Sequence, residues 1–329
     1  MSSASTPRIG VAGHICLDLT PALDRQPGLA PGLLYEIGAM AATAGGCVAN
    51  TGGQLADLGV DVSLFADVGN DALAGVLRDR VTQRGLDARG FRTTPGSTSY
   101  SIVVQPPGTD RTFWHHVGAN SSFDGSSIGL AGLDLLHVGY PSILPALVAD
   151  GARPLVDLFE RARNAGIVTS LDLAVVSDPD DASRTLWRSL LASILPHTDV
   201  VTPSVDDLTS ATGDTITHTP EGLIAAAQDL VRQGAAIAAV SAGEHGIALA
   251  TGSTARLQSA GPVLERLAGN WLDRAIWVPA RPVPRKVTTT GAGDAATAGF
   301  LAALVRGEEP AAALVSSAEA GARVVGGTA

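Results

Sequence analysis

The chain alternates short apolar runs of strand length with longer amphipathic stretches, and that alternation constrains its fold more than any other feature. Runs at 8–13, 62–68, 133–138, 167–173, 199–202, 236–241 and 246–251 read as strands, and 101–105 alternates like a half-exposed one. Helical spacing at 48–58, 71–84, 153–165, 221–233 and 294–306 fills the intervals. Strands separated by helices specify an α/β fold, a three-layer sandwich around a mostly parallel sheet. Segments 20–46 and 91–120 break the rhythm and predict a small antiparallel sheet standing off the main one as a lid. The stretch 255–285, with three prolines near its end, reads as a long connection. Residues 1–329 are read as one domain.

Several function classes are disfavoured by composition. A net charge of −10 without a Lys/Arg run argues against a nucleic-acid-binding face. The longest apolar run, 295–305, is shorter than the roughly 20 residues a bilayer needs, and the first residues are polar. Cys16 and Cys47 are too few for a disulfide framework and read as small buried hydrophobes of a reduced protein. A cytoplasmic protein with no membrane partner is expected. The sole lysine, Lys286, lies in neither a Walker loop nor a protein-kinase strand. Phosphate chemistry in this chain therefore needs backbone amides, arginines and a metal.

The segment 287–305 carries the strongest chemical signal. Gly291, Ala292 and Gly293 are nearly bare, so an anion can approach their N–H groups. The run after them is apolar on nearly every face and predicts a buried helix whose N-terminus points its partial positive charge at the loop. That arrangement suits a phosphoryl group in flight. Two readings of Asp294 stand at this point: a helix N-cap, and a general base on an incoming hydroxyl. Gly291, Gly293 and Ala296 also fit a dinucleotide-binding pattern, but at the wrong end of the chain, and Glu308–Glu309 arrive too early for the ribose contact.

The run Thr289-Thr-Gly-Ala-Gly-Asp294 resembles the C-terminal signature of the ribokinase-like (PfkB-type) carbohydrate kinases. Gly45-Gly46 with Asn50 and a helix closing on Leu58-Gly59 resembles that family's first signature, and 67–71 its following turn. The stretch 11–18, ending on Asp18, is similar to the opening strand, 108–112 to the lid element, and Ser241-Ala-Gly-Glu-His-Gly246 to the nucleotide loop. The resemblance covers about residues 8–325. It implies an ATP-dependent kinase of a small sugar-like substrate lying between the main domain and the lid. Asp18, Gly46 and Asn50 would hold the sugar. Gly291, Ala292 and Gly293 would form the anion hole and Asp294 the base. Ser241, Gly243 and Gly246 would lie along the nucleotide, with Ser317 where an asparagine often borders the adenine.

The chain departs from the family in its metal positions. Ser204 and Asp207 stand where an Asn and a Glu organise Mg²⁺, so Asp207, through water, is the candidate and Asp206 its substitute. Thr288 replaces an aspartate that helps bind a monovalent cation, which leaves that ion open. Neighbouring strand residues face opposite ways, so one of His115 and His116 turns to the sugar; His116 is assigned there. Tyr140 faces the sugar or packs at its rim. Few basic residues in the lid favour an unphosphorylated acceptor. A nucleoside acceptor, walled by Phe113, Trp114 and Tyr140, and a non-catalytic sugar sensor are the alternatives. Exposed lid edges suit a homodimer.

Overall fold

The computed structural model describes residues 6–28, 30–109, 111–177 and 179–328; Asp110 of the lid element and residues 1–5 of the polar N-terminus lie outside them. The first half runs β1 (Arg8–Gly13), β2 (Cys16–Pro21), β3 (Met40–Gly45), α1 (Cys47–Asp57), β4 (Asp61–Val68), α2 (Ala72–Gln83), β5 (Phe91–Thr93), β6 (Tyr100–Val104) and β7 (Thr112–His116). Next come β8 (Leu135–Gly139), α3 (Ala149–Asn164), β9 (Val168–Asp172), α4 (Asp181–Ile194), β10 (Val200–Val201), α5 (Val205–Thr212) and α6 (Pro220–Arg232). The chain closes with β11 (Ile237–Ser241), β12 (Ile247–Thr251), α7 (Thr254–Gln258), α8 (Pro262–Trp271), β13 (Ala275–Val278), α9 (Ala292–Arg306) and α10 (Pro310–Gly326).

Nine strands form the main sheet in the order β13-β12-β11-β10-β9-β8-β1-β4-β5. Pairing is parallel from β5 to β11, and only β12 runs against its neighbours. Strands buried on both faces need no alternation, which is why β1, β8, β9 and β11 read as continuous apolar runs. Ile9, Val11, Leu135, Val168, Val200 and Ile237 pack one face against α1, α2 and α7–α10. Ala12, Leu136, Val138, Leu171, Val201 and Ala238 pack the other against α3–α6. The expected three-layer α/β sandwich is the observed one.

A second sheet, ordered β3-β2-β6-β7, stands apart as the lid. Its boundaries differ from the sequence reading. Strand β2 begins at Cys16, before the expected segment, and β5 leaves the lid to pair with β4 at the main sheet's edge. Asp18 accordingly lies within the lid sheet rather than at the end of the opening strand, which stops at Gly13. The expected connection at 255–285 instead holds α7, α8 and β13. Leu257, Val263, Leu264, Ala268 and Trp271 are buried there, on elements too short to show a clear period. Helices α4 and α5 also escaped the sequence reading; each starts on a side-chain cap, Asp180 and Ser204 respectively.

Candidate active site

The carboxyl ends of β1, β8, β9, β10 and β11 all open on one side of the sheet, the side where parallel α/β folds bind ligands. Gly13, Tyr140, Asp172, Ser204 and Ser241 end or follow those strands. Helix α9 brings its N-terminus to the same edge. It is buried over nearly its whole length, as its small and apolar residues require.

Gly291 precedes α9 in the left-handed region at φ 75°, which glycine enters without strain. A Cβ on Gly293 would meet nothing within 4 Å, so the loop is open to an incoming group. The Ala292 amide turns back to the Thr289 carbonyl at 3.3 Å. Helix geometry leaves the Gly293 and Asp294 amides as the first without an intrahelical acceptor. Thr288 Oγ1 accepts from the Thr290 amide at 3.1 Å and brings no carboxylate to the loop.

The N-cap is Gly291, and Asp294 sits at the third helical position without making a side-chain cap hydrogen bond. Its carboxylate is 4% exposed and accepts three side-chain hydrogen bonds. Asn50 Nδ2 donates at 3.0 Å, Thr51 Oγ1 at 3.0 Å and Tyr140 Oη at 2.5 Å. Burial raises the Asp294 pKa, and the bonds from Tyr140, Asn50 and Thr51 oppose that rise. Burial, and next the Asp294 charge, push the Tyr140 phenol well up, so it remains a donor. Tyr140 holds this position at φ 64°, a backbone region unfavourable for an aromatic residue.

Asn50 and Thr51 reach Asp294 because α1 starts at a tight corner. Gly46 caps it at φ 84°, where a Cβ would lie 2.6 Å from both His14 Nδ1 and the His14 carbonyl. A Cβ on Gly45 would stand 2.1 Å from Asp18 Oδ2. The two glycines therefore have separate physical causes, one for the backbone and His14, the other for Asp18.

On the lid, Asp18 pairs with Ser101, and Ser101 with His115. His115 Nδ1 meets Ser101 Oγ at 3.0 Å, on the same face as Asp18. His116 points the other way, bonded to Ser97 Oγ at 2.7 Å and tilted against Tyr100. The alternation of the pair is as expected, but the member on the Asp18 face is His115, not His116. Trp114 shares the outer face with His116, so it does not wall the cleft. Arg111 donates to Thr289 Oγ1 at 2.6 Å and ties the lid hairpin to the loop before α9.

Ser241 and Ser204 form a bridge between the ends of β11 and β10. Gly243 follows at φ 54° with open space around its α-carbon. Gly246 differs: a Cβ there would strike the Val278 carbonyl at 2.3 Å, so its bareness serves the packing of β13. Ser317 is 3% exposed and donates to the Ala296 carbonyl at 2.8 Å. It joins α10 to α9. Asp207 Oδ2 accepts from the Ser204 amide at 2.8 Å and from its hydroxyl at 2.7 Å, closing a capping box.

Sequence reasoning missed Asp172, Thr51, His14 and Cys16. Burial first, then the charges of Asp207 and Asp294, hold the Asp172 pKa well up. The signal for it was a lone acid closing an apolar strand; the others sat inside recognised motifs without a role.

Comparison with known proteins agrees with the fold. The solved structure of Arabidopsis thaliana ribokinase with ribose and ATP matches with a TM-score of 0.74 at 20% identity, covering 97% of this chain and 93% of that one. Thermotoga maritima ribokinase matches with 0.71 at 18% identity, over 97% and 92%. A Burkholderia thailandensis nucleoside kinase in complex with inosine matches with 0.65 at 18% identity, over 96% and 91%. At such identities the likeness speaks for the fold. The sequence profile described as "pfkB family carbohydrate kinase" matches residues 7–328, and the chain belongs to that family of kinases.

Proposed function

We propose that this kinase phosphorylates, at the expense of ATP, a hydroxyl of a small sugar or sugar-like acceptor, with Asp294 as general base. The observation that carries the reading is the buried Asp294 carboxylate at the mouth of α9, held by Asn50, Thr51 and Tyr140. A carboxylate beside an anion-binding helix end repels phosphate unless it has a chemical task. Burial raises its basicity, which suits proton abstraction from an alcohol.

In this reading Asp18, an acceptor-only group, holds adjacent sugar hydroxyls. Gly46 lets the chain approach the acceptor, and Asn50 and Tyr140 orient Asp294 toward it. His115 takes the lid position assigned from sequence to His116. Asp294 removes the hydroxyl proton, while the open amides at Gly293 and Asp294 receive the charge that develops on the transferred group. Ser241 and Gly243 lie along the nucleotide. Arg111, bonded to Thr289, keeps the lid against the loop and water out.

The buried acids fit a hydrated Mg²⁺. Asp172 and Asp207 are raised by burial first, and the neighbouring Asp294 charge raises both further. Asp207, with Asp172 beside it, would hold the ion through water, and a dication there relieves the mutual repulsion. When bound, Mg²⁺ neutralises charge on the nucleotide phosphates. A protein dimer joined through the lid belongs to the same reading.

Of the aromatic walls a nucleoside would need, Trp114 faces away from the cleft while Phe113 shares the face of His115, so the acceptor class is left to measurement. A panel of pentoses, hexoses, keto-deoxy acids and nucleosides, scored by ADP release, separates the classes. In Asp294→Asn, kcat should fall by ~10²–10⁴ while the acceptor still binds by calorimetry. Near-wild-type turnover in that variant would overturn the assignment of the base. Binding of the acceptor by the wild-type chain without product would make it a sensor.

A further inference from the structure

Three side chains beside Asp18 cluster without touching the Asp294 base, and two of them, His14 and Cys16, have no task in the proposed reaction. His14 follows β1, Cys16 opens β2, and His115 lies on β7; one ligand atom from each falls within 4.8 Å of the others. The His14 and His115 rings meet edge to face with centroids 5.2 Å apart. His14 is 4% exposed, and neither of its ring nitrogens has a hydrogen-bond partner. Buried polar atoms are nearly always satisfied, so an orphaned imidazole aimed into a cluster of donors calls for a ligand.

The geometry points to a Zn²⁺ site at the acceptor end of the cleft, ligated by His14, Cys16 and His115. Imidazole and thiolate are the ligands zinc takes, and three protein ligands with an open fourth position is a familiar coordination. His115 is already oriented as such ligands are, with Nδ1 on Ser101 Oγ at 3.0 Å. Tetrahedral zinc sets N and S ligand atoms about 3.5 Å apart, so the cluster closes by about 1 Å on binding, within reach of side-chain rotation.

The ligands differ in the proton each must lose. Burial, and then His115, lower the His14 pKa to about 3, which leaves it neutral and able to coordinate. Cys16 binds as the thiolate and its proton leaves to solvent. In the metal-free protein the Cys16 thiol donates to Asp18 Oδ1 at 3.3 Å, and burial and then the Asp18 charge keep it protonated, so a dication must displace that proton before it stabilises the adjacent thiolate and carboxylate. An ion held here and an acceptor at Asp18 exclude one another. That consequence rests on the proposed function; the metal site itself does not.

Co²⁺ titration of the purified chain tests the site without any substrate. The expected result is one equivalent bound with tetrahedral visible bands and a near-ultraviolet thiolate-to-metal transition, displaced by Zn²⁺. Only two cysteines are present, so the thiolate is identified by substitution. The transition should persist in Cys47→Ser and vanish in Cys16→Ser. His14→Gln and His115→Gln should weaken Zn²⁺ binding, in competition with a chromophoric chelator, by more than the ~10–100-fold that loss of an outer partner costs. Circular dichroism and a melt establish that each variant is folded. Absence of the transition in the wild type, its survival in Cys16→Ser, or unchanged affinity in folded His115→Gln would overturn the site. Metal binding by a chain that, stripped of the ion, forms no product with any acceptor in the panel would count against the proposed function and leave the site standing.

Discussion

Asp294 combines two opposing influences at one residue. Burial favours its protonated form, and three donors favour its ionised form. Since only the ionised carboxylate accepts a proton, kcat/KM should fall as pH drops through its pKa, at a higher pH than for an ordinary carboxylate. Tyr140→Phe removes one of the bonds that lower that pKa, so the acid limb should move to higher pH. A pH profile of both proteins checks this, and an unmoved limb would separate Tyr140 from the base. The glycine pair offers a second test at this scale. Gly45→Ala forces a Cβ against the Asp18 carboxylate, a side chain that can turn away, so acceptor KM should rise with stability nearly unchanged. Gly46→Ala meets the His14 carbonyl at φ 84° and should cost about 1–3 kcal/mol in urea unfolding.

Among the elements, β10 depends most on a side chain. It has two residues, too few for its ladder to hold the middle of a sheet. Asp199, just before it and fully buried, accepts from the Thr169 amide at 2.9 Å and its hydroxyl at 3.1 Å on β9. Arg256 of α7 donates to it at 2.8 Å, and Arg163 of α3 lies 3.7 Å away. One carboxylate therefore joins a strand to helices on both faces. Asp199→Ala leaves the partly buried Arg256 charge without its partner and should destabilise the protein by about 3–5 kcal/mol, read from the urea midpoint. Because β10 leads into Ser204 and Asp207, the same substitution should weaken Mg²⁺-dependent turnover.

At the scale of the molecule, the lid carries exposed apolar surface that a monomer rarely keeps. Leu34 is 98% exposed, Met40 50% and Trp114 45%, along the segment before β3 and on the edge strands β3 and β7. A second copy paired through the lid would cover these edges. Sedimentation should give a dimer for the wild type and a monomer for Trp114→Glu; a wild-type chain that sediments as a monomer at high concentration would remove the proposal. Among the described residues no helix is long and apolar enough to cross a membrane.

The sequence by itself determined the layered α/β fold and the loop before α9. Buried parallel strands need unbroken apolar runs, and an anion-binding helix mouth needs bare residues at fixed spacing; both are local signals. Tertiary structure alone decided which side chains meet. Tyr140 comes to Asp294 across 154 positions, and Thr51 across 243, because β8, α1 and α9 end at one corner. Alternation in β7 placed His115 and His116 on opposite faces, but only pairing with β6 says which face holds Asp18. Ser317 followed the same logic, turned into the α9–α10 interface by a helix rotation that no local period specifies. Such contacts depend on how whole elements pack, and packing is a property of the assembled layers rather than of any one stretch of chain.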